Sequence, residues 1–165
     1  MVFLNNYSAY SALNSPDWTK RAVIYQMNTR HLSKEGTLRA AIAHLERIRK
    51  LGSDIIWLMP VQASGRSRRK GTLGSPYAIR DYYAVDPCLG SMEDLRQFTD
   101  TAHNLGMHVI LDWVANHTSW DCDLIKNNPN WYARGHDGKH ISPPWSNWDD
   151  VAQLDYGKRE LWTYM

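Results

Sequence analysis

The run Asp54-Ile-Ile-Trp-Leu-Met59 is apolar at almost every position and is stopped by Pro60, the pattern of a strand buried on both faces. Strands of that kind lie in parallel sheets covered by helices, so the flanking segments decide the fold. Upstream, Arg21-Ala-Val-Ile-Tyr-Gln-Met27 is rich in β-formers and reads as a first strand. Between the two, Thr37 offers an N-cap, Leu38, Ala41, Ile42, Leu45, Ile48 and Leu51 recur at helical spacing, and Gly52 closes the segment, which predicts one amphipathic helix. Downstream the pattern repeats. Ser91 with Asp94 three residues on marks a helix start, Leu95, Phe98, Ala102 and Leu105 share a face, and Gly106 ends it. Met107-His-Val-Ile-Leu-Asp-Trp-Val114 then reads as a third buried strand. The order strand, helix, strand, helix, strand predicts an α/β fold with a parallel sheet and right-handed crossovers, which both an open doubly wound sheet and a closed barrel satisfy.

The remaining segments are irregular. A polar, Gly-containing stretch from Gln62 to Ser75 leads into Pro76-Tyr-Ala-Ile-Arg-Asp-Tyr-Tyr83, and its basic run Arg66, Arg68, Arg69 and Lys70 reads as a solvated loop. From Ala115 to Asp155, Trp, Pro, Asn, Asp and Gly dominate, and an insertion of that length carries function or forms a small subdomain. An amphipathic turn begins near Lys158, with Leu161, Trp162 and Met165 available for a face, and the expectation is that the chain stops inside a nascent helix. The expected organisation is an N-terminal arm over 1–17 and one unit over 18–165, with residues 115–155 as a loop insertion.

Charge excludes some partners. A formal net charge of +2 gives too weak a field to make nucleic acid or an anionic membrane the default partner. No apolar run approaches the ~20 residues that span a bilayer, and the N-terminus lacks the pattern of a secretory signal. Cys88 and Cys122 are far apart without C-x-x-C spacing, so both are expected as reduced thiols rather than as a disulfide or a zinc site. These features together predict a cytoplasmic protein. Eight Trp and nine Tyr stand against two Phe, and flat rings with a hydrogen-bonding handle suit the apolar faces of polar ligands such as sugars.

Chemistry concentrates at Asp112-Trp-Val-Ala-Asn-His117, where a carboxylate sits late in an apolar strand and an amide and an imidazole follow in the exit loop. The C-terminal edge of parallel strands is where α/β folds build ligand sites. A carboxylate in a buried strand also needs a partner. No H-E-x-x-H, G-x-S-x-G or G-x-G-x-x-G motif accompanies these residues, so a metalloprotease, a serine hydrolase and a dinucleotide site are set aside. Two readings stay open for the residues alone: an Asp bonded to its own turn with an Asn-His cap, or a polar ligand site beside aromatic rings.

Asp112-Trp-Val-Ala-Asn-His117 resembles the D-x-x-x-N-H signature at the end of the third barrel strand in the α-amylase family of glycoside hydrolases. Val23-Ile-Tyr-Gln-Met27 is similar to that family's first strand, and Gly74-Ser-Pro-Tyr-Ala-Ile-Arg-Asp-Tyr-Tyr-Ala-Val-Asp-Pro87 to its tyrosine-bearing loop after the second. Asp150-Val-Ala-Gln-Leu-Asp-Tyr156 resembles its segment near the end of domain B, and the likeness runs in family order from Trp18 to the C-terminus. The resemblance implies an incomplete (β/α)8 TIM barrel, its first three β/α units present, with a short domain B-like insertion. It implies that Tyr77 stacks on the sugar at the cleavage subsite, that His117 hydrogen-bonds that sugar's hydroxyls, and that Asp112 holds the site by pairing with an arginine supplied later. Asn116 matches a calcium ligand of many members. Gln153 stands where calcium-binding members have an Asp, and a neutral ligand in place of a charged one weakens such a site, so no cofactor is expected and bound calcium is doubtful.

Retaining glycosidases need a carboxylate nucleophile and a carboxylic acid about 5 Å apart. In the resembled family these follow the fourth and fifth strands, the nucleophile in a G-x-R-x-D signature, which does not occur here. The expectation is therefore a truncated α-glucan hydrolase or transglycosylase that binds α-glucan or maltooligosaccharide but is inactive alone, with no catalytic residue assigned in the chain and no oligomeric state implied. The alternative is a non-catalytic carbohydrate-binding or partner-binding protein built on a partial barrel. A third possibility, nucleic-acid binding through Arg66 to Lys70, predicts steep salt dependence.

Overall fold

The structure, a computed structural model, describes residues 15–165, so nearly all of the arm expected over 1–17 lies outside the described residues. The elements run β1 (Ile24–Met27), α1 (Thr29–Leu32), α2 (Leu38–Ile42), α3 (Leu45–Lys50), β2 (Ile55–Leu58), β3 (Gln62–Ser64), β4 (Ile79–Val85) and α4 (Met92–Asn104). They continue with β5 (His108–Leu111), β6 (His117–Ser119), α5 (Asp123–Asn127), β7 (Val151–Gln153) and α6 (Arg159–Tyr164). β1, β2 and β5 form a parallel sheet in that order, with Ile24 opposite Ile55 and Ile56 opposite Val109. The strand–helix alternation expected from the sequence is present.

One face of this sheet is closed by the helices. Met27, Ile56 and Leu58 from the strands meet Leu38, Ala41, Leu45, Ile48, Phe98 and Ala102 from α2, α3 and α4 in a single buried cluster. Each large side chain so buried contributes about 1.5–3 kcal/mol. The helix starts are those expected: Thr37 accepts the N–H of Ala40, and Ser91 and Asp94 form a reciprocal capping box. Gly106 ends the α4 region at φ +73°, a left-handed turn that a side chain would strain.

Four sequence expectations are corrected. The single helix over Thr37 to Gly52 is two short helices, because Ala43 N–H and His44 N–H turn to the carbonyls three residues back, on Ala40 and Ala41. That tighter turn interrupts the axis yet keeps Leu38, Ala41, Leu45 and Ile48 on the buried side, while Leu51, past the last turn, is exposed. The third strand is shorter than Met107 to Val114 and is not buried on both faces: Ile110 and Leu111 are 42% and 47% exposed. Among the described residues β5 pairs with β2 and with no other strand, so its outer edge is open; on the face opposite the helices Trp18 stacks on His108 at 3.9 Å and Ile55 is buried, while Ile24 and Ile110 stay 52% and 42% exposed.

The stretch beginning at Gln62 is not all loop, since β3 pairs antiparallel with β4 through two register shifts. Residues 115–155 are likewise not structureless. β6 pairs antiparallel with β7, and Cys122, Leu124, Tyr132, Ala152, Leu154 and Leu161 form a second small apolar cluster, so the segment packs as the subdomain that its length allowed. In α6, Leu161 is buried but Trp162 is exposed, its indole N–H donating to Tyr156 O. Among the described residues no helix is long and apolar enough to cross a membrane.

Candidate functional site

Asp112 follows β5 directly and extends its ladder by one bond, from its N–H to Leu58 O, which places the carboxylate at the C-terminal edge of the sheet. Tyr77 arrives from the β3–β4 connection, and its hydroxyl donates to Asp112 Oδ2 at 3.0 Å. The partner that Asp112 needed is thus a phenol, and no arginine pairs with it among the described residues. Burial, joined by the Asp112 charge, raises the Tyr77 pKa, so the phenol stays protonated and the bond keeps its direction.

His117 opens β6 and is only 6% exposed. The turn that carries it is tied down by two phenols: Tyr82 donates to Val114 O and His117 O at 2.7 and 3.1 Å, and Tyr156 donates to Ala115 O at 2.6 Å. Asn116 Nδ2 lies 3.1 Å from His117 Nδ1. An amide nitrogen only donates, so Nδ1 accepts and the neutral ring carries its proton on Nε2. Burial lowers the His117 pKa, partly offset by the Tyr77 backbone and the Asp150 charge, and the ring is neutral at pH 7.

Tyr77 and His117 meet at one cavity of about 380 Å³, lined also by Lys70, Ser75, Trp148, Asp150 and Val151. That volume lies in the range of small-molecule sites, about 300–1,000 Å³. Trp148 is half exposed, with its ring 5.5 Å from that of His117. Lys70 bonds Asn147 O and Asp149 Oδ1, both at 2.6 Å, and lies 3.6 Å from Asp150 Oδ1. The site therefore offers flat aromatic faces, a fixed phenol, a neutral imidazole and an ammonium already balanced by two carboxylates. Such a set suits a neutral ligand with both apolar faces and hydroxyls.

The basic run is more than a solvated loop. Its side chains reach in two directions: Arg68 lies 4.1 Å over the Trp120 ring and Lys70 takes the acidic pair, while Arg66 and Arg69 line another cavity. Arg68 adopts φ +54°, a left-handed conformation costing a non-glycine residue about 1–2 kcal/mol. Contact with the indole face offsets part of that cost.

Asn116 does not sit in a set of hard ligands. Its Nδ2 donates to Gln153 Oε1 at 3.3 Å, and Gln153 Nε2 lies 3.0 Å from Asn116 O, 3.3 Å from Asn116 Oδ1 and 2.9 Å from Leu154 O. Each amide oxygen is thus engaged by the other side chain. Among the described residues no group of three or more His, Cys, Asp or Glu could hold a metal. The surroundings of Asn116 do not fit calcium, which takes six to eight oxygens, carboxylates among them.

Sequence reasoning singled out Tyr77, Asp112, Asn116 and His117; the structure bonds Tyr77 to Asp112 at the end of β5, sets Asn116 beside His117 at the start of β6, and brings Tyr77 and His117 to the cavity. It missed Lys70, Trp148 and Asp150 at the cavity and Tyr82 beneath it. Only the abundance of Trp and Tyr pointed toward such residues.

Comparison with known proteins follows from this geometry. The model of the α-amylase catalytic domain matches residues 14–158. The α-1,4-glucan:maltose-1-phosphate maltosyltransferase of Arcanobacterium haemolyticum is 34% identical over 138 residues, covering 73% of this chain and 20% of that protein. The oligo-1,6-glucosidase of Heyndrickxia coagulans is 33% identical over 147 residues, covering 82% of this chain and 25% of its own length. The crystal structure of an α-amylase from Lactobacillus plantarum superposes with a TM-score of 0.84 at 45% identity, over 87% of this chain and 34% of that one. The chain thus spans about a fifth to a quarter of the length of these curated relatives.

Proposed function

This chain belongs to the α-amylase family of catalytic domains, and from that premise we propose that it holds the N-terminal, sugar-gripping part of a retaining α-glucan hydrolase or transglycosylase. In this reading β1, β2 and β5 are the first three strands of a (β/α)8 barrel, and residues 115–155 are its domain B-like insertion. The observation that carries the reading is the convergence of Tyr77, fixed by Asp112, and neutral His117 on one cavity. Tyr77 presents an aromatic face to a glucosyl ring, His117 Nε2–H donates to a hydroxyl, and Asp112 orients Tyr77. Lys70 is balanced by Asp149 and Asp150, which supports a neutral maltooligosaccharide over a phosphorylated sugar.

The 165 residues do not cleave that sugar by themselves. Double displacement needs a free carboxylate nucleophile and a carboxylic acid across the scissile bond. Of the three carboxylates at the site, Asp112 is committed to the Tyr77 phenol, and Asp149 and Asp150 face the Lys70 ammonium. Calcium has no part in this reading, because the Asn116–Gln153 amide pair joins β6 to β7 without it; EDTA should leave the melting temperature unchanged. The unpaired thiols of Cys88 and Cys122 suit the reducing cytoplasm as the location. Calorimetric titration of the chain with maltotriose, with chromatography of the sugar afterwards, tests the proposal. Saturable binding, weakened at least tenfold in Tyr77→Ala, with the trisaccharide recovered intact is expected. Cleaved sugar, or no binding, would refute it.

A second reading rests on a separate observation, the exposed apolar side chains Ile24 and Ile110, which the strand register puts on the sheet face opposite the helices. A partner chain covering that sheet face would make this a partner-binding protein on a partial barrel. Sedimentation at increasing concentration distinguishes the two, since this reading requires a complex and the first does not.

A further inference from the structure

A second cavity, of about 80 Å³, lies beside the root of the loop that carries Tyr77 and is lined by Arg30, Arg66, Arg69, Arg80, Asp86 and Cys88, among others. Four guanidiniums face one carboxylate. That carboxylate is consumed: Asp86 accepts the Ser64 hydroxyl at 2.6 Å and the N–H groups of Ser64 and Cys88 at 3.2 and 3.0 Å, and balances Arg30 at 3.4 Å. Arg30 is a wall of the cavity, its side chain 11% exposed and its other bonds made to Gly74 O and Ser64 Oγ. Arg66, Arg69 and Arg80 form no ion pair among the described residues. Residues 1–14 contain no Asp or Glu that could supply one. The nearest other carboxylate contact in the loop is Asp121, which accepts the Arg66 backbone N–H at 2.8 Å and leaves the guanidinium unpaired.

We propose that this cavity binds a phosphate-sized oxyanion through the guanidinium forks of Arg66, Arg69 and Arg80. Three like charges gathered at a recess repel one another, and an anion among them reverses the sign of that interaction. The guanidinium fork matches the oxygens of phosphate two at a time. Size selects the ligand class: the space is well below the roughly 300 Å³ of ordinary small-molecule sites, and with guanidinium groups on its walls it suits a tetrahedral anion rather than a sugar ring. The arginines come from different parts of the fold. Arg80 belongs to β4, whereas Arg66 and Arg69 belong to the loop, with the Arg69 stem lying over Gly74 at φ +71°, where an added Cβ would collide with it. A bound anion therefore ties the loop to the scaffold just ahead of Ser75 and Tyr77.

The test is calorimetric titration and thermal melting of the full chain with sodium phosphate, against sodium chloride at equal ionic strength. Saturable one-to-one binding and a rise in Tm beyond that given by chloride are expected. Arg66→Gln combined with Arg80→Gln weakens phosphate binding at least tenfold, while Arg47→Gln combined with Lys50→Gln, an equal loss of charge on α3, leaves it unchanged. Should the double variant fail to fold, the exposed single change Arg66→Gln still weakens binding at least threefold. Glucose 1-phosphate in a parallel titration separates the sources: tighter binding than inorganic phosphate assigns a sugar ester, weaker binding a free anion, and either supports the site. Binding that does not saturate, a melting shift that chloride reproduces, or affinity retained in the arginine variants would overturn it. Maltotriose binding is read separately, so failure here leaves the sugar site untouched.

Discussion

Residues 24–111 and residues 115–155 are closed by different forces. In the first, apolar side chains from three helices and three strands meet in one cluster. In the second, the apolar cluster is small, and the chain is held by polar side chains on backbone carbonyls: Tyr82 on Val114 and His117, Tyr156 on Ala115, Gln153 on Asn116 and Leu154, and Trp120 on Asp149. The first region is robust to surface changes and vulnerable to lost volume. The second is vulnerable to the loss of single donors, because a carbonyl left unpaired in a buried place costs its desolvation. The sugar cavity lies on the seam, taking Tyr77 from one region and His117 and Trp148 from the other. Its shape therefore depends on both kinds of closure.

The largest effect should come from removing volume in the first region. Phe98→Ala, at a side chain with no exposure, should cost about 3–5 kcal/mol, read as a lower urea midpoint. Next, Gln153→Leu keeps the shape of the tether but removes its donors, and should cost about 1–3 kcal/mol. Amide exchange should quicken in residues 117–119 and 151–153 and stay slow in β2; faster exchange in β2 would erase the distinction between the two regions. Ser91→Ala opens the capping box of α4 and should cost about 1 kcal/mol, with the loss confined to the first region.

The smallest effect is a pH dependence from the seam. Burial lowers the His117 pKa, so as pH falls below the ordinary imidazole value of about 6.5 the unfolded chain takes up this proton before the folded one does. Stability from this group is complete above that value and is lost below it, until the folded imidazole also titrates. Wild type should lose more stability than His117→Gln between pH 7.5 and 5.5 in matched urea unfolding series. Equal losses would mean that the ring is not held neutral by burial.

How much of this was legible beforehand follows from the same contrast. Apolar periodicity reports packing against a neighbour, so Leu38, Ala41, Leu45, Ile48, Phe98 and Ala102 could be placed on buried faces from their spacing alone. The exposure of Ile110 and Leu111 could not, because a strand's burial is set by what lies over it and not by its own composition. β3 is three residues in a polar stretch, too short to show a period, and the break at Ala43 depends on two hydrogen bonds that no residue type announces. At the site, Tyr77, Asp112, Asn116 and His117 were readable through a short motif at a strand end. Lys70, Trp148 and Asp150 were not, since segments without a period bring them to the cavity from 80 positions apart at the widest, Lys70 to Asp150 (150 − 70).

The central claim is that the seam between the two regions grips a neutral α-glucan. A heteronuclear NMR titration of the chain with maltotriose tests it most directly. The account predicts saturable shifts at the Tyr77 ring, the His117 imidazole and the Trp148 indole, with the Arg47 resonances on α3 unmoved. Shifts absent from all three rings at saturating sugar, or centred on the sheet face at Ile24 and Ile110, would contradict it.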